Sequence, residues 1–304
     1  MSLRDRIHAL QAELGIVPKR SLGQNFLISD GVVENILAAT FCFSPTDLVE
    51  IGPGLGSLTH GILERLSLQK SAGPAVGCSA AQCSFQVIEL DSVFANYWRS
   101  QNLRVIEEDA LHVDWTKLFS GEPSDKGNEP HTASVSSSGS RVLVSNLPYQ
   151  ISSRLVIERC LDEKPFTGMV LMFQKEVAQR IQARLEHGSY GFLSVMAQTF
   201  WDVKTVCEVG PRDFEPPPNV ASRVLSFRSK ASSAVGRPEH YLKFIKACFV
   251  QPRKIMMTNL GSLGDFKREA ALSWLKAHGF MEKVRAEELK VQDFLSLAGH
   301  LGYL

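Results

Sequence analysis

Short apolar runs rich in β-branched residues recur along the chain and alternate with stretches whose apolar residues repeat at helical spacing. Runs at 47–51, 85–90, 103–107, 141–145 and 168–173 read as strands. Between them, 31–39, 58–66, 93–100, 152–161 and 175–184 read as helices. This alternation predicts an α/β fold, a parallel sheet covered by helices on both faces. Two further runs, 203–209 and 222–227, follow without a helix between them. Only Gly210-Pro211 and Pro216-Pro217-Pro218 punctuate that gap, which predicts an antiparallel hairpin at the sheet edge. At the other end, Leu3, Ile7, Leu10 and Leu14 share one helical face and predict a short helix packed on the body. From 240 to 304 the periodicity is helical throughout, so a small all-helical domain is expected. The division falls as 1–232 for the α/β domain and 233–304 for the helical one, with 231–238 as the linker. Two stretches without any period, 68–84 and 120–140, read as surface insertions.

Composition narrows this picture modestly. The chain has 304 residues, 44% hydrophobic and 21% charged, as in ordinary globular proteins. A net charge of +1 neither marks nor excludes a nucleic-acid partner. Its distribution says more: from Arg237 to the end there are 11 Lys/Arg against 7 Asp/Glu. Such a surplus fits either a basic binding face or a solvated surface. The six cysteines form no Cys-x-x-Cys pair and no zinc spacing. They read as reduced thiols, most of them buried, in a cytoplasmic protein without a metal site. No apolar run reaches about 18 residues, so no membrane span is expected.

Four motifs carry chemistry. The first is Val49-Glu50-Ile51-Gly52-Pro53-Gly54-Leu55-Gly56, a strand running into a glycine turn that opens a helix. Glycine lets backbone approach a ligand closely. A dinucleotide fingerprint needs Gly-x-Gly-x-x-Gly, but here Ser57 stands at the third glycine position. The spacing favours a nucleoside ligand without pyrophosphate, or a bare strand–helix turn. The second is Glu89, ending the next strand, where an acid can accept ribose hydroxyls. It lies 37 residues beyond Gly52, and the insertion at 68–84 accounts for most of the excess over a compact unit. The third is Asp109 in Glu107-Glu108-Asp109-Ala110, placed to accept an adenine amino group.

The fourth motif, Ser145-Asn146-Leu147-Pro148-Tyr149, is the sharpest. An exocyclic base amine is a poor nucleophile because its lone pair is delocalised into the ring. The Asn146 side-chain carbonyl and the Leu147 main-chain carbonyl can accept its two N–H groups. Pro148 fixes the backbone there, and Tyr149 offers a face for stacking. A sulfonium methyl donor is already a strong electrophile, so alignment is the main task, an effect reaching about 7–11 kcal/mol. No general base is required before attack. A base within a helix must first be flipped out. Phe214, in Phe214-Glu215-Pro216-Pro217-Pro218-Asn219-Val220, is either the opposite stacking face or a buried loop anchor.

In this order the motifs resemble the rRNA adenine N6,N6-dimethyltransferase family over nearly the whole chain. Further matching segments are Ser21-Leu22-Gly23-Gln24-Asn25-Phe26-Leu27, Gln174-Lys175-Glu176-Val177, Tyr190-Gly191-Phe192-Leu193-Ser194-Val195 and Phe249-Val250-Gln251-Pro252-Arg253-Lys254. The resemblance implies a Rossmann-like class I methyltransferase using S-adenosyl-L-methionine. It assigns cofactor contacts to Asn25, Leu27, Gly52, Glu89, Asp109 and Asn146. It assigns the target-adenine pocket to Asn146, Leu147, Pro148, Tyr149 and Phe214. The implied partner is 16S rRNA within a small ribosomal subunit precursor, approached by a monomer without membrane contact. The implied reaction dimethylates N6 of two adjacent adenosines in the 3′-terminal hairpin. Pro252 stands where a second basic residue is common, which weakens the expected grip on phosphate. Three rivals remain. They are the related large-subunit rRNA methyltransferase that confers macrolide resistance, an rRNA-binding assembly factor without chemistry, and a DNA adenine methyltransferase. The last more often carries Asp-Pro-Pro-Tyr.

Overall fold

The computed structural model describes residues 1–18, 24–71, 83–119, 139–163, 166–185, 187–230 and 235–304. The first three residues of the Ser21–Leu27 motif, most of both insertions and the first part of the linker therefore lie outside the described residues. In chain order the elements begin with α1 (Leu3–Glu13), β1 (Phe26–Leu27), α2 (Asp30–Phe41), β2 (Asp47–Ile51), α3 (Thr59–Ser71) and β3 (Ser84–Ile88). They continue with α4 (Ser92–Ser100), β4 (Arg104–Ile106), α5 (Trp115–Leu118), β5 (Arg141–Asn146), α6 (Tyr149–Arg159), β6 (Gly168–Gln174), α7 (Lys175–Gln182) and α8 (Phe192–Phe200). After β7 (Trp201–Val209), β8 (Phe214–Glu215) and β9 (Ser222–Ser229) come the helices α9 (Pro238–Cys248), α10 (Met256–Asn259), α11 (Asp265–Ala277) and α12 (Val291–His300).

Two compact units result. One comprises Met1–Leu155, Asp162–Ala178 and Lys204–Arg228; the other comprises Val156–Leu161, Gln179–Val203 and Ser229–Leu304. The helical unit thus takes in α8 as well as the C-terminal helices, because α8 packs on α9 and α12. Thr199 and Tyr241 share a buried hydroxyl–hydroxyl bond of 3.0 Å between α8 and α9. Within the same unit the Tyr190 phenol donates to the Leu289 carbonyl at 2.9 Å.

The first unit is built on a seven-stranded sheet of order β4-β3-β2-β5-β6-β9-β7. Strands β4, β3, β2, β5 and β6 are mutually parallel, as the strand–helix alternation predicts. Strand β9 joins β6 antiparallel. The expected hairpin is present at the edge: Lys230 N–H bonds the Phe200 carbonyl at one end, while Arg223 bonds Glu208 at the other, so β9 and β7 run antiparallel. The central strands are apolar on both faces; all five residues of β2 are buried, and Val142 to Val144 and Met169 to Phe173 are fully enclosed. Leu3, Ile7 and Leu10 of α1 join this core through the face read from their spacing.

From β2 the chain winds outward through β3 to β4, then returns to the other side of β2 for β5 and β6. The crossovers therefore diverge between β2 and β5. A crevice opens at the carboxyl ends of two such strands, and ligands of open α/β sheets bind there. The glycine turn follows β2, and the Asn146 turn follows β5.

Of the five described cysteines, Cys160 and Cys248 are buried, Cys83 and Cys207 half-buried and Cys42 exposed, and none of these five is in a disulfide. Fewer are enclosed than composition led us to expect, because Cys42 caps the end of α2 rather than facing its core side.

The glycine turn is held by dense packing. Gly56 has φ +84°, and a Cβ there would lie 2.6 Å from the ring of Trp98, a fully buried side chain. Trp98 Nε1 in turn donates to the Gly54 carbonyl at 3.0 Å. Gly56→Ala combines a left-handed backbone with a rigid clash, and we predict a loss of about 2–4 kcal/mol of stability. Urea denaturation measures this directly; a loss below about 1 kcal/mol would mean that the ring moves aside freely.

Candidate active site

A cavity of about 310 Å³ occupies the crevice, lined entirely from the first unit. It brings together Asn25, Leu27, Gly52, Glu89, Asp109 and Asn146 with Leu147, Pro148 and Tyr149. Residues from five separate stretches of sequence thus share one surface.

Its floor is the turn after β2. Gly52 has φ +66°, and a Cβ there would meet no atom within 4 Å, so the missing side chain leaves open space beside the strand end. The Gly52 N–H is bonded to the Ile88 carbonyl at 2.8 Å. Glu89 sits beside it. Its Oε2 accepts the Gly54 N–H at 3.2 Å and its Oε1 accepts the Asp91 N–H at 2.9 Å. The two carboxylate oxygens offer about four lone-pair positions, more than these backbone donors fill. Burial pushes the Glu89 carboxyl above its ordinary range, and the backbone donors of Asp91, Gly54 and Leu90 pull it back. Asp109 Oδ1 accepts the Leu111 N–H at 2.9 Å, a local turn that holds the carboxylate at the cavity.

A strap crosses above. Segment 24–28 is tied to three separate strand-end loops. Gln24 Nε2 donates to Asp91 Oδ2 at 3.3 Å, Ser57 Oγ donates to the Leu27 carbonyl at 2.7 Å, and Asn146 Nδ2 donates to the Asn25 carbonyl at 3.2 Å. Because that carbonyl can only accept, it fixes which end of the Asn146 amide faces it. Oδ1 is left as the acceptor end of the side chain. Pro148 follows at the head of α6, and the Tyr149 phenol meets Ser222 Oγ at 2.8 Å.

Phe214 is the one expected site residue that the cavity does not include. It is 3% exposed and belongs to the hydrophobic core. β8 pairs with β1, setting Phe214 opposite Leu27, while Asp213 accepts the Ile28 N–H. In this arrangement it anchors the strap, and neither ring face is open to a base.

Several lining residues escaped the sequence reading. Ser57 and Gln24 tie down the strap, and Leu90, 56% exposed, projects an apolar side chain at the cavity. The most consequential is Glu50, an acid within β2 that is 2% exposed. Thr59 Oγ1 donates to its Oε2 at 2.8 Å. Burial, with the Glu89 charge adding to it, drives its pKa up to about 8. An ionisable residue interrupting a fully apolar strand was the available signal.

These features fit S-adenosylmethionine. Open space beside Gly52, a pinned carboxylate at the end of β3, an apolar Leu90 and a second acid at Asp109 match a nucleoside carrying a cationic tail.

Comparison with known proteins decides the relationship. The family model described as ribosomal RNA adenine dimethylase matches residues 17–301. The chain belongs to this family. It is 45% identical to the ribosomal RNA small subunit methyltransferase A of Bdellovibrio bacteriovorus, over 99% of this chain and 98% of that one. It is 32% identical to the protein of the same name from Staphylococcus epidermidis, over 96% and 93% respectively. Among solved structures, a dimethyladenosine transferase from Plasmodium falciparum shares the fold, with a TM-score of 0.65 and 23% identity over 91% of this chain and 98% of that one. The 23S rRNA methyltransferase ErmE does so with a TM-score of 0.60 and 20% identity, over 91% and 100%. The first unit accordingly has the Rossmann-like class I methyltransferase fold. As a member of this family the chain is an S-adenosylmethionine-dependent rRNA adenine dimethyltransferase.

The protonated Glu50 has a measurable consequence. Its carboxyl holds a proton in the folded state up to about pH 8, whereas the unfolded chain releases it near the ordinary value of 4.5. Between those limits this carboxyl binds its proton in the folded state only, so its contribution to stability falls as pH rises. Without cofactor, Glu50→Gln is predicted to flatten this decline between pH 5.5 and 8 in denaturant titrations. An unchanged slope would place the proton elsewhere.

Proposed function

We propose that this chain dimethylates N6 of two adjacent adenosines in the 3′-terminal hairpin of 16S rRNA, within a precursor of the small ribosomal subunit. The observation that carries the reading is the Asn146 amide, locked by the Asn25 carbonyl so that Oδ1 is its acceptor end, in the cavity shared with Glu89 and Asp109. The names of the relatives, at up to 45% identity across nearly the full length, support the small subunit as the substrate.

In this reading Glu89 accepts the cofactor's ribose hydroxyls, Asp109 accepts its adenine amino group, and Gly52, Asn25 and Leu27 shape the cleft around it. When bound, S-adenosylmethionine supplies an electrophilic methyl group. Asn146 Oδ1 and the Leu147 carbonyl accept the two N–H bonds of the target amine and so aim its nitrogen lone pair toward the donor side of the cavity. Tyr149 forms the stacking wall for the flipped base; such stacking contributes roughly 1–3 kcal/mol. Phe214 contributes by holding the strap through β8.

We assign RNA binding to the helical stretch 233–304. Gln251, Pro252, Arg253 and Lys254 are exposed on a loop between α9 and α10. Asn259 Nδ2 pins this loop by donating to the Cys248 carbonyl at 2.8 Å and the Gln251 carbonyl at 3.1 Å. A preformed loop carrying Arg253 and Lys254 suits phosphate contact. We further propose that the enzyme works as a monomer in the cytoplasm; among the described residues no helix is long and apolar enough to cross a membrane.

Methyl transfer to undermethylated small subunits, compared with protein-free large-subunit rRNA, tests the substrate. We expect transfer to the small subunit and background incorporation into the large-subunit RNA. Transfer to the latter alone would refute the assignment.

A further inference from the structure

The hydrogen bond between Tyr149 and Ser222 has no part in the reading above. Ser222 is completely buried at the first position of β9, opposite Gln174 of β6. The proline-rich stretch 216–218 lies just before it in the chain, and the neighbouring Ala221 carbonyl accepts the Lys175 N–H at 2.9 Å. Its backbone is therefore held against the end of β6. Tyr149 stands on the other side of β6, at the first position of α6, with its ring at the cavity. The 2.8 Å bond spans from the end of β5 across to β9 and is the tether that the structure gives to the phenol.

A half-buried tyrosine at a helix start has two side-chain torsions to fix. The Asn146 turn and Pro148 place the Cα, yet they leave the ring free to swing about χ1. A hydroxyl held at the far end of the ring removes that freedom. Burial raises the Tyr149 phenol above its usual range, so it stays neutral and can either donate or accept in this bond.

We propose that Ser222 is a positioning residue for the target base, its hydroxyl holding the Tyr149 ring upright as the wall on which the flipped adenine stacks. This rests on the stacking role given to Tyr149 above, and the variants separate the two ideas. The proposal also gives the Phe214–Ser222 segment a purpose at both ends. Phe214 fixes the strap through β8, and Ser222 fixes the base wall through Tyr149.

Full-length variants are assayed by methyl transfer to undermethylated small subunits, with cofactor affinity followed by calorimetry. Tyr149→Ala removes the wall and is expected to lower kcat/KM about 10- to 100-fold. Tyr149→Phe keeps the ring but loses the tether, and Ser222→Ala loses it from the other side. Each is expected to lower kcat/KM about three- to tenfold, chiefly through KM for the particle, with cofactor affinity unchanged. Because both remove one interaction, the double variant should be no worse than the poorer single one, within about twofold. Ser222→Thr, which keeps a hydroxyl, should recover most of the activity. If Tyr149→Ala has wild-type kinetics, the stacking role falls and this proposal falls with it. If Tyr149→Ala is impaired but Tyr149→Phe is not, the tether is dispensable and the Ser222 proposal alone is overturned. Multiplying effects in the double variant, or parallel loss of cofactor affinity, would likewise overturn it by making Ser222 a general support of the fold. Tyr149→Phe decides the matter even if Ser222→Ala fails to fold.

Discussion

Everything at the site depends on β2 and β5 lying side by side while their crossovers leave in opposite directions. Adjacent parallel strands place their carboxyl ends together, and divergence keeps the following helices from closing over them. The Ser145 hydroxyl donates to the Ile51 carbonyl at 2.6 Å, stitching the two strand ends at the point where the turns begin. The glycine turn and the Asn146 turn thereby face one cavity, although about ninety residues separate them in sequence. The arrangement has a cost. Glu50, near the end of β2, is buried with another acid nearby, and so keeps its proton in the folded protein.

Upon this frame the strap at 24–28 works as a common tie. It touches the loop after each of β2, β3 and β5 and pairs with β8. Phe26 stands edge-on to Phe94, with ring centres 6.1 Å apart, which packs it against the start of α4. The loop after β3, which carries Glu89, and the turn after β5, which carries Asn146, are therefore linked by one short piece of backbone. The orientation of the Asn146 amide, on which the proposed chemistry turns, is set by a main-chain carbonyl rather than by another side chain. A substitution at position 25 would leave that carbonyl in place.

Much of this was legible in the sequence for identifiable reasons. Strand β2 falls where its apolar run places it, because a run ending in Gly-x-Gly has a sharp boundary. The Asn146 turn was visible because Asn-Leu-Pro-Tyr after a strand has few other uses. Strands β1 and β8 were not visible, since two residues cannot display a period and their pairing joins segments far apart in the chain. Helix α8, Phe-Leu-Ser-Val-Met-Ala-Gln-Thr-Phe, was hidden because it is buried almost all round and shows no polar stripe. For Phe214 the sequence left a stacking face and a buried anchor open, because its pairing with Leu27 cannot be read from either two-residue strand. Glu50 was passed over inside an apolar run, where its burial depends on Thr59 and the neighbouring strands.

The most direct measurement is mass-spectrometric mapping of dimethyladenosine in rRNA from cells lacking this gene. The account predicts that two adjacent adenosines in the 3′-terminal hairpin of small-subunit rRNA lose both N6 methyl groups, and that the wild-type gene, but not an Asn146→Ala copy, restores them. Retention of those methyl groups, with a loss at some other adenosine, would contradict it.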